Sequence, residues 1–194
     1  MGAITSFAER SALRASTITR AALMAAVTAV AAQIAIPLPF SLVPFTLQVL
    51  AVVLSGLLLG PRYGALAQAV YLLVGAVGAP VFAQFEGGPG VILGPKGGYL
   101  LSYPIAAALA GLAAGAVARG PRRQALWVGF LWGCGGLAVI YGLGATWLAA
   151  VAGLTPTEAF ATGVLPFIIF DLMKVGLAAL VAVAAAPAIA PSRT

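Results

Sequence analysis

The sequence predicts an all-α integral membrane protein with six transmembrane helices and both termini on the cytoplasmic side. Three observations carry that reading. Apolar residues make up 62% of the 194 and charged residues 7%, against about 45–50% and about 25% in soluble domains. The apolar residues fall into runs suited to membrane helices, separated by segments rich in Gly, Pro and Arg. Eight basic residues, Arg10, Arg14, Arg20, Arg62, Arg119, Arg122, Arg123 and Arg193, lie at the termini or in two connections, whereas the other connections hold Lys96 alone. Such a bias marks the cytoplasmic face, and two termini on one side require an even number of crossings. Residues 1–194 read as one transmembrane domain with no room for a separate soluble one.

The first span is residues 18–36, behind a basic stretch. It is longer than the 7–15-residue apolar core of a signal peptide, so it reads as an uncleaved helix. Its Ala21, Ala25 and Ala29, with Ala22 and Ala26 beside them, place small residues four apart. That spacing suits close approach of a partner helix; alanine is also simply common here. Residues 37–45 hold three prolines and cannot continue a helix. Their bulky side chains, Phe40 among them, suit a lid or re-entrant segment lining a cavity.

Residues 46–59 form a short second span with Gln48 at its outer edge, as a cap or a ligand contact. Gly60-Pro61-Arg62 is a turn, in which Gly ends one helix and Pro prevents its continuation. Residues 63–79 are the third span. The irregular stretch 80–98 follows, with Gln84, Glu86 and Lys96 as polar equipment and Tyr99 just after it. Stretches this long and irregular inside compact proteins are usually functional. Residues 99–118 are the fourth span, with Gly111 and Gly115 spaced for close packing. Residues 119–123 are a basic turn. Residues 126–152 are the fifth span, whose Gly129, Gly133, Gly135 and Gly136 offer a place to bend. Residues 153–165 form a loop containing Glu158.

The sixth span, 166–186, contains Asp171 and Lys174. Each ionisable group inside a membrane costs roughly 2.5–3.5 kcal/mol on insertion scales, and such residues pair or face a polar cavity. Their i, i+3 spacing puts both on one helix face. Asp171 lies about 7.5 Å into the span at 1.5 Å per residue. The pair is either an ion pair that only locks packing or a site for a ligand needing donors and acceptors. Its depth brings it to the side of the three outward connections, which points to one external pocket.

Other chemistries are excluded by composition. There is no histidine and a single cysteine, Cys134, in an apolar run. No carboxylate cluster or phosphate-binding loop stands in for them, so neither a metal nor a cofactor is expected, nor ATP hydrolysis by this chain. The net charge of +6 is scattered over short connections without a stripe, which argues against nucleic acid. A small membrane enzyme using Glu86 or Asp171 is the alternative, and it has no nucleophile with a nearby base.

The segments IPLPFSLVPFTLQVLAVVLSGLLLGPRYG, GAPVF, LGPKGGYLLSYPIAA and DLMK occur in that order. Together they resemble the BioY family, the biotin-specific substrate-binding (S) components of energy-coupling-factor (ECF) transporters. The resemblance runs from the first span to the sixth. It implies a six-helix S-component fold, biotin as substrate, a location in the bacterial cytoplasmic membrane, and partnership with a membrane coupling subunit and ATPase subunits. Another vitamin-specific subunit is the nearest alternative. Family positions carry over to Asp171, Lys174, Gln48 and Tyr99, with Phe40 or Tyr99 as a wall for the thiophane ring. Lys96 stands where the family pattern suggests a small polar residue; it and Gln84 are further candidates for ligand contact. The resemblance also implies that the small-residue face of the first helix meets the coupling subunit.

Overall fold

The structure, a computed structural model, describes residues 2–189, with side chains described over 17–187. Arg193 therefore lies outside the described residues, and the side chains of Arg10 and Arg14 lie outside the described side chains. Helix α1 spans Gly2–Gln33. Two short strands, β1 (Ala35–Ile36) and β2 (Phe45–Thr46), pair antiparallel and close the proline segment into a loop. Then come α2 (Gln48–Ala76), α3 (Pro89–Leu93), α4 (Gly97–Gly111), α5 (Ala114–Arg119), α6 (Arg122–Ala152), α7 (Pro156–Gly163) and α8 (Ile168–Ile189). By length and composition α2, α6 and α8 are apolar enough to cross a membrane, with mean hydropathies of 1.6, 1.7 and 2.2. Residues 17–33 of α1 form a shorter apolar helix.

Helix α2 is a hairpin. Its helical dihedrals break at Gly60 (φ 79°, ψ 177°), and Pro61 opens the second arm, where a missing N–H costs nothing. Gln48 Nε2 donates to Tyr71 Oη at 2.8 Å, and Gln68 Nε2 donates to Ser55 Oγ at 3.0 Å. In a straight helix residues 48 and 71 would lie about 35 Å apart at 1.5 Å per residue. The antiparallel arms touch where a Cβ on Gly64 would come within 2.8 Å of Gly56 Cα. The turn expected at 60–62 is therefore present.

A buried chain of polar side chains ties α1 to this hairpin. Thr28 Oγ1 donates to Met24 O and accepts from Gln68 Nε2 at 3.1 Å. Around it Ala21, Met24 and Ala25 join the hydrophobic core. Two of the five alanines expected to face a partner are taken up by this packing. Ala25 is 6% exposed, and Ala21 and Ala25 are spent on packing within the chain, with Ala29 part-buried against the same core. Ala22 and Ala26 are exposed, next to exposed Leu23.

Of the glycines of the fourth and fifth spans, Gly111 packs closely as expected, and Gly115 and those of the fifth span differ. A Cβ on Gly111 would press on Gly60 C and Pro61 N at 2.5 Å, whereas Gly115 faces open space. Helix α6 runs 31 residues without a break. Its Gly133 and Gly136 serve close approach rather than bending: a Cβ would meet Val175 Cγ1 at 2.7 Å or Ala106 O at 2.8 Å.

The connection 153–165 is a correction too, because it holds α7. Thr155 Oγ1 accepts from Glu158 N at 3.3 Å while Glu158 Oε2 accepts from Thr155 N at 2.8 Å. This capping box starts the helix, with Pro156 at its first position. The hydrogen bonds that Glu158 Oε2 accepts from Thr155 N and, at 2.7 Å, from Thr155 Oγ1 hold its carboxyl below its ordinary range. The Thr-Pro-Thr-Glu sequence carried the signal for this helix start.

Candidate functional site

Three segments converge at one end of the bundle. They are the loop 37–47, the irregular stretch 80–96, and α7 with the start of α8. Gln33, at the end of α1, fixes the second of these, donating to Phe82 O at 3.1 Å and accepting from Phe85 N at 3.0 Å. Phe82 is fully buried with its ring edge-on to Tyr71, centroids 5.5 Å apart. Trp147 Nε1 donates to Gly94 O at 2.9 Å, and its side chain covers Gly98 so closely that a Cβ there would collide with it.

Beneath these segments lies a cavity whose floor is the charged pair. Asp171 is 4% exposed and Lys174 is 6% exposed. Lys174 Nζ donates to Asp171 Oδ1 at 2.6 Å and to Thr46 O at 2.6 Å. It also sits over the Phe45 ring, 3.7 Å from the centroid, an arrangement attractive to a cation. Tyr141 donates to Asp171 Oδ2 at 2.7 Å. Buried ions are tolerated when geometry is close and further hydrogen bonds satisfy each one, and both conditions hold here. An ionised carboxylate has about four acceptor positions. Two of these on Asp171 are used, one on each oxygen, so each oxygen retains capacity for an N–H of a guest.

The remaining walls mix polar and apolar groups. Gln48 donates to Tyr71 Oη and its Oε1 accepts from Thr46 Oγ1 at 3.1 Å. Tyr71 passes the chain on to Val81 O at 3.2 Å. Tyr99 donates to Gly163 O at 2.9 Å, tying α4 to α7. Tyr103 stacks on Tyr71 with centroids 6.5 Å apart and also lines the cavity. Val43, Pro44, Val49, Val91, Leu100, Ile140 and Phe167 supply apolar wall.

Asp171, Lys174, Gln48, Tyr99 and Lys96 are thus brought together around one cavity. Phe40 is not: it is 58% exposed at the tip of its loop, and Val43 and Pro44 occupy the wall proposed for it. Gln84 is also outside the lining; it is exposed, and its Oε1 lies 3.3 Å from Lys96 Nζ. Lys96 is engaged by Glu86 at 2.7 and 2.8 Å. Sequence reasoning missed Tyr141, Tyr103, Tyr71 and Thr46. Tyr99 and Tyr103 are four apart on one helix face, a signal for the second once the first is chosen. Tyr141 is marked only as a phenol inside an apolar helix. Among the described residues there is no group of His, Cys, Asp and Glu able to hold a metal.

The family model for BioY matches residues 7–191. The chain belongs to the BioY family. It is 43% identical over 170 residues to the probable biotin transporter BioY of Pyrococcus horikoshii, covering 88% of this chain and 96% of that one. It is 42% identical over 167 residues to the biotin transporter BioY of Thermotoga maritima, covering 84% and 91%. Among solved structures it resembles the S-component for biotin from an ECF-type ABC transporter. The TM-score is 0.78 at 26% identity, with 89% of this chain and 91% of that chain covered. The BioY family is one of transporter components and not of enzymes, and this BioY chain is a helical membrane protein with the S-component fold.

Proposed function

We propose that this chain is the biotin-specific S component of an ECF-type transporter, binding biotin from outside the cytoplasmic membrane for uptake. The observation that carries the reading is the buried Asp171–Lys174 pair, with acceptor capacity left on Asp171 and the pair opening into a cavity lined by Gln48 and three tyrosines. The ureido ring of biotin offers two N–H donors and a carbonyl acceptor. Asp171 takes an N–H, and the Gln48 amide and Tyr103 hydroxyl supply the complementary groups. Tyr99, Val43 and Phe167 flank the thiophane ring. The curated relatives named as biotin transporters, similar over most of their length, support this choice over another vitamin. The test is equilibrium binding of labelled biotin to the purified chain, followed by recovery of the ligand. Tight binding with biotin returned unchanged is expected; failure to bind, or a chemically altered product, overturns the proposal.

Residues 1–194 form, on this reading, one six-helix domain with both termini cytoplasmic. The eight-to-one distribution of basic residues supports the orientation, and the reversal at Gly60 supports counting α2 as two crossings. Energising partners are a membrane coupling subunit and ATPases. A topology experiment follows. In a Cys134→Ser background, Gly90→Cys should react with an impermeant maleimide from outside right-side-out vesicles, and Arg122→Cys only after permeabilisation. Both positions are exposed, and a Cβ on Gly90 meets nothing within 4 Å. Labelling of both from outside would contradict the six-span arrangement.

A further inference from the structure

The cavity contains two cations, and they are not equivalent. Lys174 has three N–H donors. They are directed at Asp171, at the Thr46 carbonyl and over the Phe45 ring. It is buried beside a carboxylate that repels a second anion. Lys96 is the more accessible of the two, its side chain 19% exposed against 8% for Lys174. Its partner Glu86 is not part of the cavity lining. Glu86 accepts from Lys96 with both oxygens, at 2.7 and 2.8 Å, and its side chain is 40% exposed. The segment delivering it is unusual. Gln84 (φ 65°) and Phe85 (φ 58°) are the non-glycine residues with positive φ among those described, a conformation disfavoured for L-residues and found where surroundings hold it. Here those surroundings are Gln33, the Phe82–Glu86 bridge and the Lys96 contact itself.

We propose that Lys96 is the receptor for the free carboxylate of the ligand, and that Glu86 holds its place while the site is empty. The proposal rests on the biotin reading above and assigns the end of the molecule which that reading leaves open. A guest with its ureido end at Asp171 and a carboxylated chain running to the mouth meets Lys96, the cation whose existing partner can leave for water. The exchange swaps one carboxylate for another on the same ammonium. Glu86, already partly hydrated, is displaced at small cost, and the segment 82–88 loses one of its tethers. The ligand class is therefore a ureido-ring acid with a free carboxylate, discriminated from its amides by Lys96.

The test compares biotin with biotinamide, which has the same rings and a neutral tail, by calorimetric titration. Lys96→Met should weaken biotin about tenfold or more, the scale of a hydrogen bond to a charged group, and leave biotinamide within about twofold. Glu86→Gln removes the competitor and should tighten biotin several-fold while leaving biotinamide unchanged. Because acid and amide are compared within each variant, partial unfolding cancels. Should Lys96→Met fail to fold, Glu86→Gln decides alone. An acid-to-amide ratio unchanged in Lys96→Met overturns the exchange, as does weakened biotin binding in Glu86→Gln. If neither compound binds the wild-type chain, the biotin reading itself falls, which is a distinguishable result.

Discussion

Asp171→Asn should lower biotin affinity on the order of 30- to several-thousand-fold. The substitution keeps the shape of the side chain and removes the charge that accepts N–H bonds, and charge-assisted hydrogen bonds are roughly twice as strong as neutral ones. It also leaves Lys174, a residue only 6% exposed, without its anion. Truncating one partner of a buried pair costs about 2–5 kcal/mol, at about 1.4 kcal/mol per decade of affinity. Lys174 retains the Thr46 carbonyl and the Phe45 ring, so the protein remains foldable enough for titration. Asp171→Asn combined with Lys174→Met should recover stability better than binding, because no buried charge is then uncompensated. If the pair only locked packing, monodisperse Asp171→Asn protein would titrate with near-wild-type affinity, and that outcome would refute the site.

Ala26→Trp should abolish co-purification with the coupling subunit while leaving the biotin dissociation constant within about twofold of wild type, there being no contact with the cavity. Its neighbour Ala25→Trp should instead prevent folding. Ala26 is exposed and Ala25 is packed in the core. Adding even a few methylenes to a packed core costs about 1–3 kcal/mol, and an indole adds far more volume. The contrast between adjacent residues separates a docking surface from a packing surface. An Ala26→Trp chain that still assembles with its partner would place docking elsewhere.

Much of the fold was legible because membrane helices announce themselves by length, apolarity and flanking arginines. The turn at Gly60-Pro61 was readable, since that dipeptide ends one helix and begins another. Asp171 and Lys174 were readable because charge in an apolar run demands a partner. The misreadings share a cause, which is that spacing says which residues share a face but not what the face meets. Ala21 and Ala25 have the same spacing as Ala22 and Ala26, yet one pair is interior and the other exterior. The glycines of α6 could equally have meant bending or contact, and only the facing Val175 and Ala106 decide. Tyr141 could not be assigned before its 30-residue separation from Asp171 was closed in space. Phe40 and Val43 belong to one proline-rich loop, and nothing local says which turns inward.

The bond from Lys174 Nζ to Thr46 O joins residues 128 positions apart. In biosynthesis the carbonyl emerges long before the ammonium. At about 5–20 residues per second, that interval is roughly 6–26 s. Throughout it, Thr46 and Gln48 occupy the edge of an unfinished bundle with neither Asp171 nor Lys174 available to them. The charged pair beneath the cavity is therefore absent while the first helices are being made. The last helix to leave the ribosome brings Asp171 and Lys174 to the cavity, so a chain that stops short of it should bind no biotin.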